Sequence, residues 1–161
     1  MKSALLALIL ATPLAAGGCM SAAAQPTPVA APAAKVHAQV LVDQALARHP
    51  ELKILAMHVT PPGQAQNVII ASNIGRIGKV ADADDLSVIA SGAPRMEVTR
   101  TGYSVELVMR DAAHRPIGVL GITFAYAAGD DTAPFLKRAE AVRDELGASI
   151  PDLTSLFAPA S

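Results

Sequence analysis

Cysteine is nearly absent: Cys19 is the single one in 161 residues. Everything after it must fold without disulfides and without a thiolate-rich metal site. A surplus of one charge is lacking too. Lysine and arginine number 13 against 14 acidic residues, so no basic face is expected and no nucleic-acid partner. Beyond residue 19 no apolar run approaches the roughly 20 residues that span a bilayer. His37, His49, His58 and His114 are scattered, and no HExxH occurs, so no metal site is expected. GxSxG and SxxK are missing, which leaves nucleophilic catalysis without an anchor. No GxGxxG occurs, and Ile74-Gly75-Arg76-Ile77-Gly78-Lys79 has two residues between its glycines where a P-loop has four. No cofactor and no catalytic residue is therefore assigned.

What is present begins at the N-terminus. Met1-Lys2 is followed by an apolar run from Ala4 to Ala16, then Gly17, Gly18 and Cys19. Charged, apolar and small-residue regions in that order make residues 1–19 a signal peptide, too short to be a membrane span. Two processing routes follow. Leu14-Ala15-Ala16-Gly17-Gly18-Cys19 resembles the lipobox of bacterial lipoproteins, which implies lipidation at Cys19 and anchoring in the periplasm or outer membrane. Ala22-Ala23-Ala24 instead offers cleavage after Ala24 and a secreted product. Residues 20–34 carry Pro26, Pro28 and Pro32 and no charge, the composition of an extended tether.

Residues 35–150 have the length of one domain. The apolar spacing predicts a helix over 36–48, stopped by Pro50. Lys53–Val59 and Gln66–Asn73 read as strands flanking the Thr60-Pro61-Pro62-Gly63 turn, an antiparallel hairpin. Asp82 predicts a helix N-cap, with Asp84 and Asp85 placing negative charge in the first turn. Leu86, Ile89 and Ala90 would be its apolar face and Gly92 its stop. Arg95–Arg100 and Tyr103–Asp111 read as strands. The second alternates, with Tyr103, Val105, Leu107 and Met109 on one face and Ser104, Glu106, Val108 and Arg110 on the other. Pro116–Tyr126 is the most apolar strand and predicts the sheet centre, with Gly118 and Gly121 marking close approach of another element. A last helix over 132–147, capped by Asp130 or Asp131, should bury Phe135, Ala139, Val142 and Leu146. Residues 151–161 read as a tail that docks through Leu156 and Phe157. Tight turns between successive strands give an antiparallel sheet, and the class is α+β with five strands, a long N-terminal helix, a short connecting helix and a C-terminal helix.

The candidate ligand-binding residues are His58, Asn73, Arg76, Lys79, Tyr103, Glu106 and Arg110. Asn73, Arg76 and Lys79 cluster after a strand, where amides and two cations suit a small anion. His58 is expected on the Asn73 side of its strand, and a buried, hydrogen-bonded core histidine is the alternative. Tyr103, with Tyr126 the only tyrosines, joins an apolar ring to a hydroxyl that suits a pocket, with core packing as the alternative. Glu106 would hold an amine. Asp84 and Asp85 are assigned to capping rather than to a site.

Asp111-Ala112-Ala113-His114-Arg115-Pro116-Ile117-Gly118-Val119-Leu120 resembles the D-x-x-G-x-x-I-G-x-L hairpin of extracytoplasmic Cache domains, which are PAS-like sensor modules. His114 stands at the glycine of that pattern. Val68-Ile69-Ile70-Ala71-Ser72-Asn73 and the N-terminal helix are similar to the earlier part of the same fold, and the resemblance covers residues 36–148. It implies a sheet face that binds a small metabolite, a carboxylate or an amine, in partnership with a membrane signalling protein. Three functions are thus in competition: an exported ligand-binding domain, a structural or partner-binding lipoprotein with no pocket, and a small hydrolase using Ser104 with His58.

Overall fold

The computed structural model describes residues 35–160. The signal peptide, the lipidation site at Cys19 and the tether over 20–34 lie outside the described residues.

Helix α1 (His37–Arg48) buries Ala38, Leu41, Val42 and Ala45 and ends two residues before Pro50. Strands β1 (Leu52–Val59) and β2 (Val68–Ser72) follow, then helix α2 (Ala83–Ser91), strands β3 (Arg95–Thr99), β4 (Gly102–Arg110) and β5 (Pro116–Phe124), and helix α3 (Ala133–Ala148). The five strands form one sheet in the order β2-β1-β5-β4-β3, and every described pairing is antiparallel. The class is α+β. The most apolar strand is central, because only a central strand has both faces and both edges shielded from water.

One face of the sheet carries α1 and α3. Leu55, Met57, Val105, Leu107, Leu120, Ile122 and Phe124 point there, into the main core with the helices. Phe135, Ala139, Val142 and Leu146 of α3 are all buried. An aromatic cluster closes one end: Phe135 stacks on Tyr103 at 4.9 Å and lies 5.0 Å from Phe124. The Arg138 guanidinium covers the Phe124 ring at 5.1 Å, a cation–π contact.

The other face carries α2. Its start follows the sequence: Asp82 accepts from the Asp85 amide while the Asp85 side chain accepts from the Asp82 amide, a reciprocal capping box. Gly92 stops it in the left-handed region at φ 69°. The apolar face is not the expected one. Leu86 and Ile89 are about half exposed, and Val88 packs instead with Val108 and Val119. The helix is turned so that buried Asp85 faces the sheet, and Val88, one turn later, necessarily follows it.

Three local features sharpen this picture. A bulge between Met57 and His58 leaves Ile70 unopposed on β2, which re-aims the strand at His58. Gly118 lies beneath the His58 carbonyl, where a Cβ would collide with backbone. The β4–β5 turn is organised by Asp111, whose Oδ1 accepts from the amides of Ala113 and Arg115 and whose Oδ2 accepts from the Arg115 guanidinium. His114, at the glycine place of the Cache pattern, has φ 60°, the backbone conformation glycine adopts most easily.

Residues 151–160 close the domain. Leu156, in a 3-10 turn over Thr154–Phe157, is fully buried. Val36 pairs with Pro159, and Ala160 donates to the Lys35 carbonyl. The outer edge of β2 is covered by the connector, since Ile69 donates to Lys79 and accepts from Gly78. Among the described residues no helix is long and apolar enough to cross a membrane.

Phe135 joins α3 to two strands through aromatic contacts, so its truncation should be among the most damaging single changes. Phe135→Ala is expected to lower unfolding free energy by about 3–5 kcal/mol, read from urea denaturation. A loss below 1 kcal/mol would mean the cluster does not hold α3 to the sheet.

Candidate functional site

Between α2, the β2–α2 connector and the sheet lies a cavity of about 320 Å³. Strand register builds its floor. One row across four strands reads Ala56, Gly121, Glu106, Arg95, and the next reads Ile54, Thr123, Ser104, Glu97. Small residues in the middle of the sheet leave room above it. A Cβ at Gly121 would meet only the His58 Nε2 at 3.8 Å and the Ala56 carbonyl at 4.0 Å, so the space there is real. His58 and Asp85 line one side, Arg76, Lys79, Asp82 and Arg100 the rim.

The electrostatics of this cavity are uneven. Asp85 is 3% exposed and His58 8%. The His58 Nδ1 lies 3.1 Å from the Asp85 carboxylate but off the line of a hydrogen bond, and it has no hydrogen-bond partner in the protein. The Oε2 of Glu106 is likewise buried and unpartnered, with Arg95 Nη1 at 4.0 Å. Unpaired polar atoms inside a protein are few, and each is held at a cost of about 1–3 kcal/mol. Burial, then the neighbouring Asp85 charge, pushes the Glu106 carboxyl up to about 7, with Arg95 opposing and Asp82 and Asp84 adding to the rise. Asp82 behaves oppositely. Burial would raise it, but the Lys79 ammonium and the amides of Asp85 and Asp84 outweigh burial and hold it below the ordinary carboxylate value. Arg95 spans the site, pairing with Asp84 of α2 at 3.1 Å and Glu97 of β3 at 2.9 Å.

Of the residues expected from sequence, His58, Arg76, Lys79 and Glu106 line this cavity. Asn73, Tyr103 and Arg110 do not. Asn73 spends its amide on β1, accepting from Leu55 and donating to the Lys53 carbonyl. It extends the strand pairing where β2 has ended. Tyr103 is on the opposite face of the sheet, against Phe135 and Tyr126, as its alternation with Glu106 requires. Arg110 donates to the His114 carbonyl at the far turn. Lys79 is tied to Asp82 at 3.2 Å, whereas Arg76 and Arg100 make no ion pair among the described residues. Sequence reasoning missed Asp85, Arg95, Glu97 and Thr123, and it read Gly121 with Gly118 as a place of close approach, which holds at Gly118 but not at Gly121, where the space is open. Asp85 was legible only as a cap, and nothing in the chain order signals that its carboxylate reaches His58.

Ser104 and His58 do not form a dyad. Ser104 is opposite Thr123, and His58 is opposite Val119, on different sides of β5. Four residues along and two strands across put their backbones roughly 16 Å apart, beyond hydrogen-bond reach. No cluster of three or more potential metal ligands occurs among the described residues. A larger cavity of about 470 Å³ lies at the β2 edge, lined by Val36, Val68, Ile77, Val80 and Phe157 with no titratable side chain. Ligand sites combine an apolar wall with a few convergent polar groups; of these two cavities the smaller has them, while the buried, unpartnered Asn67 Oδ1 belongs to a separate cavity of about 230 Å³.

No protein-family model matches the chain, and no curated protein matches it. Solved structures do. The second GAF domain of DevS from Mycobacterium smegmatis superposes with a TM-score of 0.52 at 16% identity, covering 69% of this chain and 88% of that one. The GAF domain of a two-component sensor histidine kinase from Bacillus halodurans gives 0.51 at 12% identity, covering 69% and 91%. At such identities the likeness is one of fold. The domain has a GAF-type, PAS-like fold.

The Glu106 carboxyl generates a pH signature. An acid whose value rises on folding binds more protons folded than unfolded, so stability falls as pH rises from about 4.5 to about 7 and then levels. At 1.36 kcal/mol per pKa unit, moving this carboxyl from its ordinary 4.5 to about 7 amounts to about 3 kcal/mol. Glu106→Gln keeps the shape without the charge. It is expected to exceed the native protein in stability by about 1–3 kcal/mol at pH 8, with the gain vanishing near pH 4.5. Chemical denaturation across that range checks it, and a gain independent of pH would remove Glu106 as its source.

Proposed function

We propose that this is an exported sensor-type domain that binds a small molecule in the cavity above the sheet without chemically altering it. The observation that carries the reading is the 320 Å³ cavity lined by Glu106, whose Oε2 is buried and unpartnered. Such an atom is satisfied when a donor on a ligand arrives, and the volume falls at the small end of the roughly 300–1,000 Å³ typical of ligand sites. The fold supports it: one structural neighbour is a domain of a sensor histidine kinase. The turn at His114, with its glycine-like backbone, supports kinship with Cache sensors in particular. The hydrolase reading loses its only named dyad.

Export and anchoring rest on the sequence. The Lys2 start, the apolar run and Gly17-Gly18-Cys19 support a lipoprotein held at the periplasmic or outer membrane by acyl chains on Cys19, where a membrane-protein partner would receive the signal. Metabolic labelling with a fatty acid is expected to mark the native chain and to fail for Cys19→Ser. Equal labelling of both would refute anchoring at that residue.

Ligand binding itself is tested by thermal shift of residues 35–161 against amino acids, organic acids, amines and nucleobases. A ligand at 100 times its dissociation constant stabilises the fold by about 2.7 kcal/mol. Gly121→Val, which drives a side chain into open space, is expected to fold and to lose the shift. A shift that survives this change places the binding elsewhere.

A further inference from the structure

The charge layout of the cavity goes further than the presence of a ligand, and the step rests on the binding reading above. The deep groups are carboxylates. Asp85 is 3% exposed and Glu106 directs its buried Oε2 at no donor. The cations are outside them: Arg76, Lys79 and Arg100 are exposed rim residues. The start of α2 would ordinarily attract an anion. Here the amides of Asp82 and Asp85 are already bonded within the capping box, and Asp82, Asp84 and Asp85 surround that end with negative charge. The Arg95 guanidinium does not fill the gap, because it is turned to Asp84 and Glu97 and stays 4.0 Å from Glu106. His58 is 8% exposed, lines the cavity and has an unpartnered Nδ1 beside Asp85. A buried acceptor with a rim of cations therefore asks for a ligand whose two ends differ in sign.

We propose that the cavity takes a small zwitterion, its cationic nitrogen seated inward on Glu106 beside Asp85 and its anionic end facing the rim cations Arg76 and Arg100. An ammonium supplies the donors that Glu106 lacks, and a charge-assisted contact in a sheltered site is the strong kind. The groups facing Glu106 are His58 from β1, Asp82, Asp84 and Asp85 from the start of α2, and Arg95 and Glu97 from β3. The empty site holds the Glu106 carboxyl at about 7, so seating an ammonium there expels a proton. Affinity is then about tenfold weaker at pH 6 than at pH 8, although an aliphatic ammonium stays charged throughout.

Calorimetry on residues 35–161 with matched probes decides the matter: β-alanine and γ-aminobutyrate, the same acids without the amine (propionate, butyrate), and butylamine. Saturable binding of a zwitterion is expected, with its deaminated partner at least tenfold weaker. Glu106→Gln should weaken the zwitterion tenfold or more and flatten its pH dependence. Two buffers of different ionisation heat should report proton release at pH 6.5 for the native protein only. If propionate, butyrate or a neutral compound binds, is lost in Gly121→Val and is indifferent to Glu106→Gln, the zwitterion is refuted while the cavity remains a ligand site. If no probe of any charge type binds a folded protein, both fail.

Discussion

The buried carboxylate of Asp85 is the constraint on which the site depends. It closes the capping box at the start of α2 and at the same time faces His58 on β1. The helix has little else to hold it: Val88, against Val108 and Val119, is its one buried apolar residue. With so small a hydrophobic contribution, on the order of 2 kcal/mol for a buried valine, the capping box and the Arg95–Asp84 ion pair to β3 help to fix the rotation of the helix. That rotation leaves Leu86 and Ile89 facing solvent and opens the space over Gly121.

The two faces of the sheet divide the labour. The face under α1 and α3 is filled with branched and aromatic side chains and provides the stability. The face under α2 carries Ala56, Gly121, Ser104 and Thr123 in mid-sheet, residues that give up packing to create volume. Polar atoms kept unpaired beside that volume are the reverse of what stability favours, and functional sites are where such departures concentrate.

Much of the fold was legible because its signals are local. The 3.6-residue spacing of Phe135, Ala139, Val142 and Leu146, the alternation along β4 and the Asp82 cap each need only a few neighbouring residues. The apolar run at Pro116–Tyr126 revealed the central strand for the same reason. The site was half legible. His58, Arg76, Lys79 and Glu106 converge, but alternation alone already separates Tyr103 from Glu106, and a side chain chosen for its chemistry was assigned to the wrong side. Asn73 was misread because its amide serves the neighbouring backbone. Arg95 and Asp85 escaped notice because their partners, Asp84 and His58, come from other elements, and only folding makes them neighbours.

The pairing of Val36 with Pro159, and of Lys35 with Ala160, has a topological consequence. The polypeptide enters and leaves the domain side by side, as in the closing of a ring. A short linker can therefore join the two ends, and new ends can be cut in the exposed stretch from Pro62 to Ala65 without moving any wall of the Glu106 cavity. The order in which the strands are synthesised is, in that sense, separable from the order in which they lie.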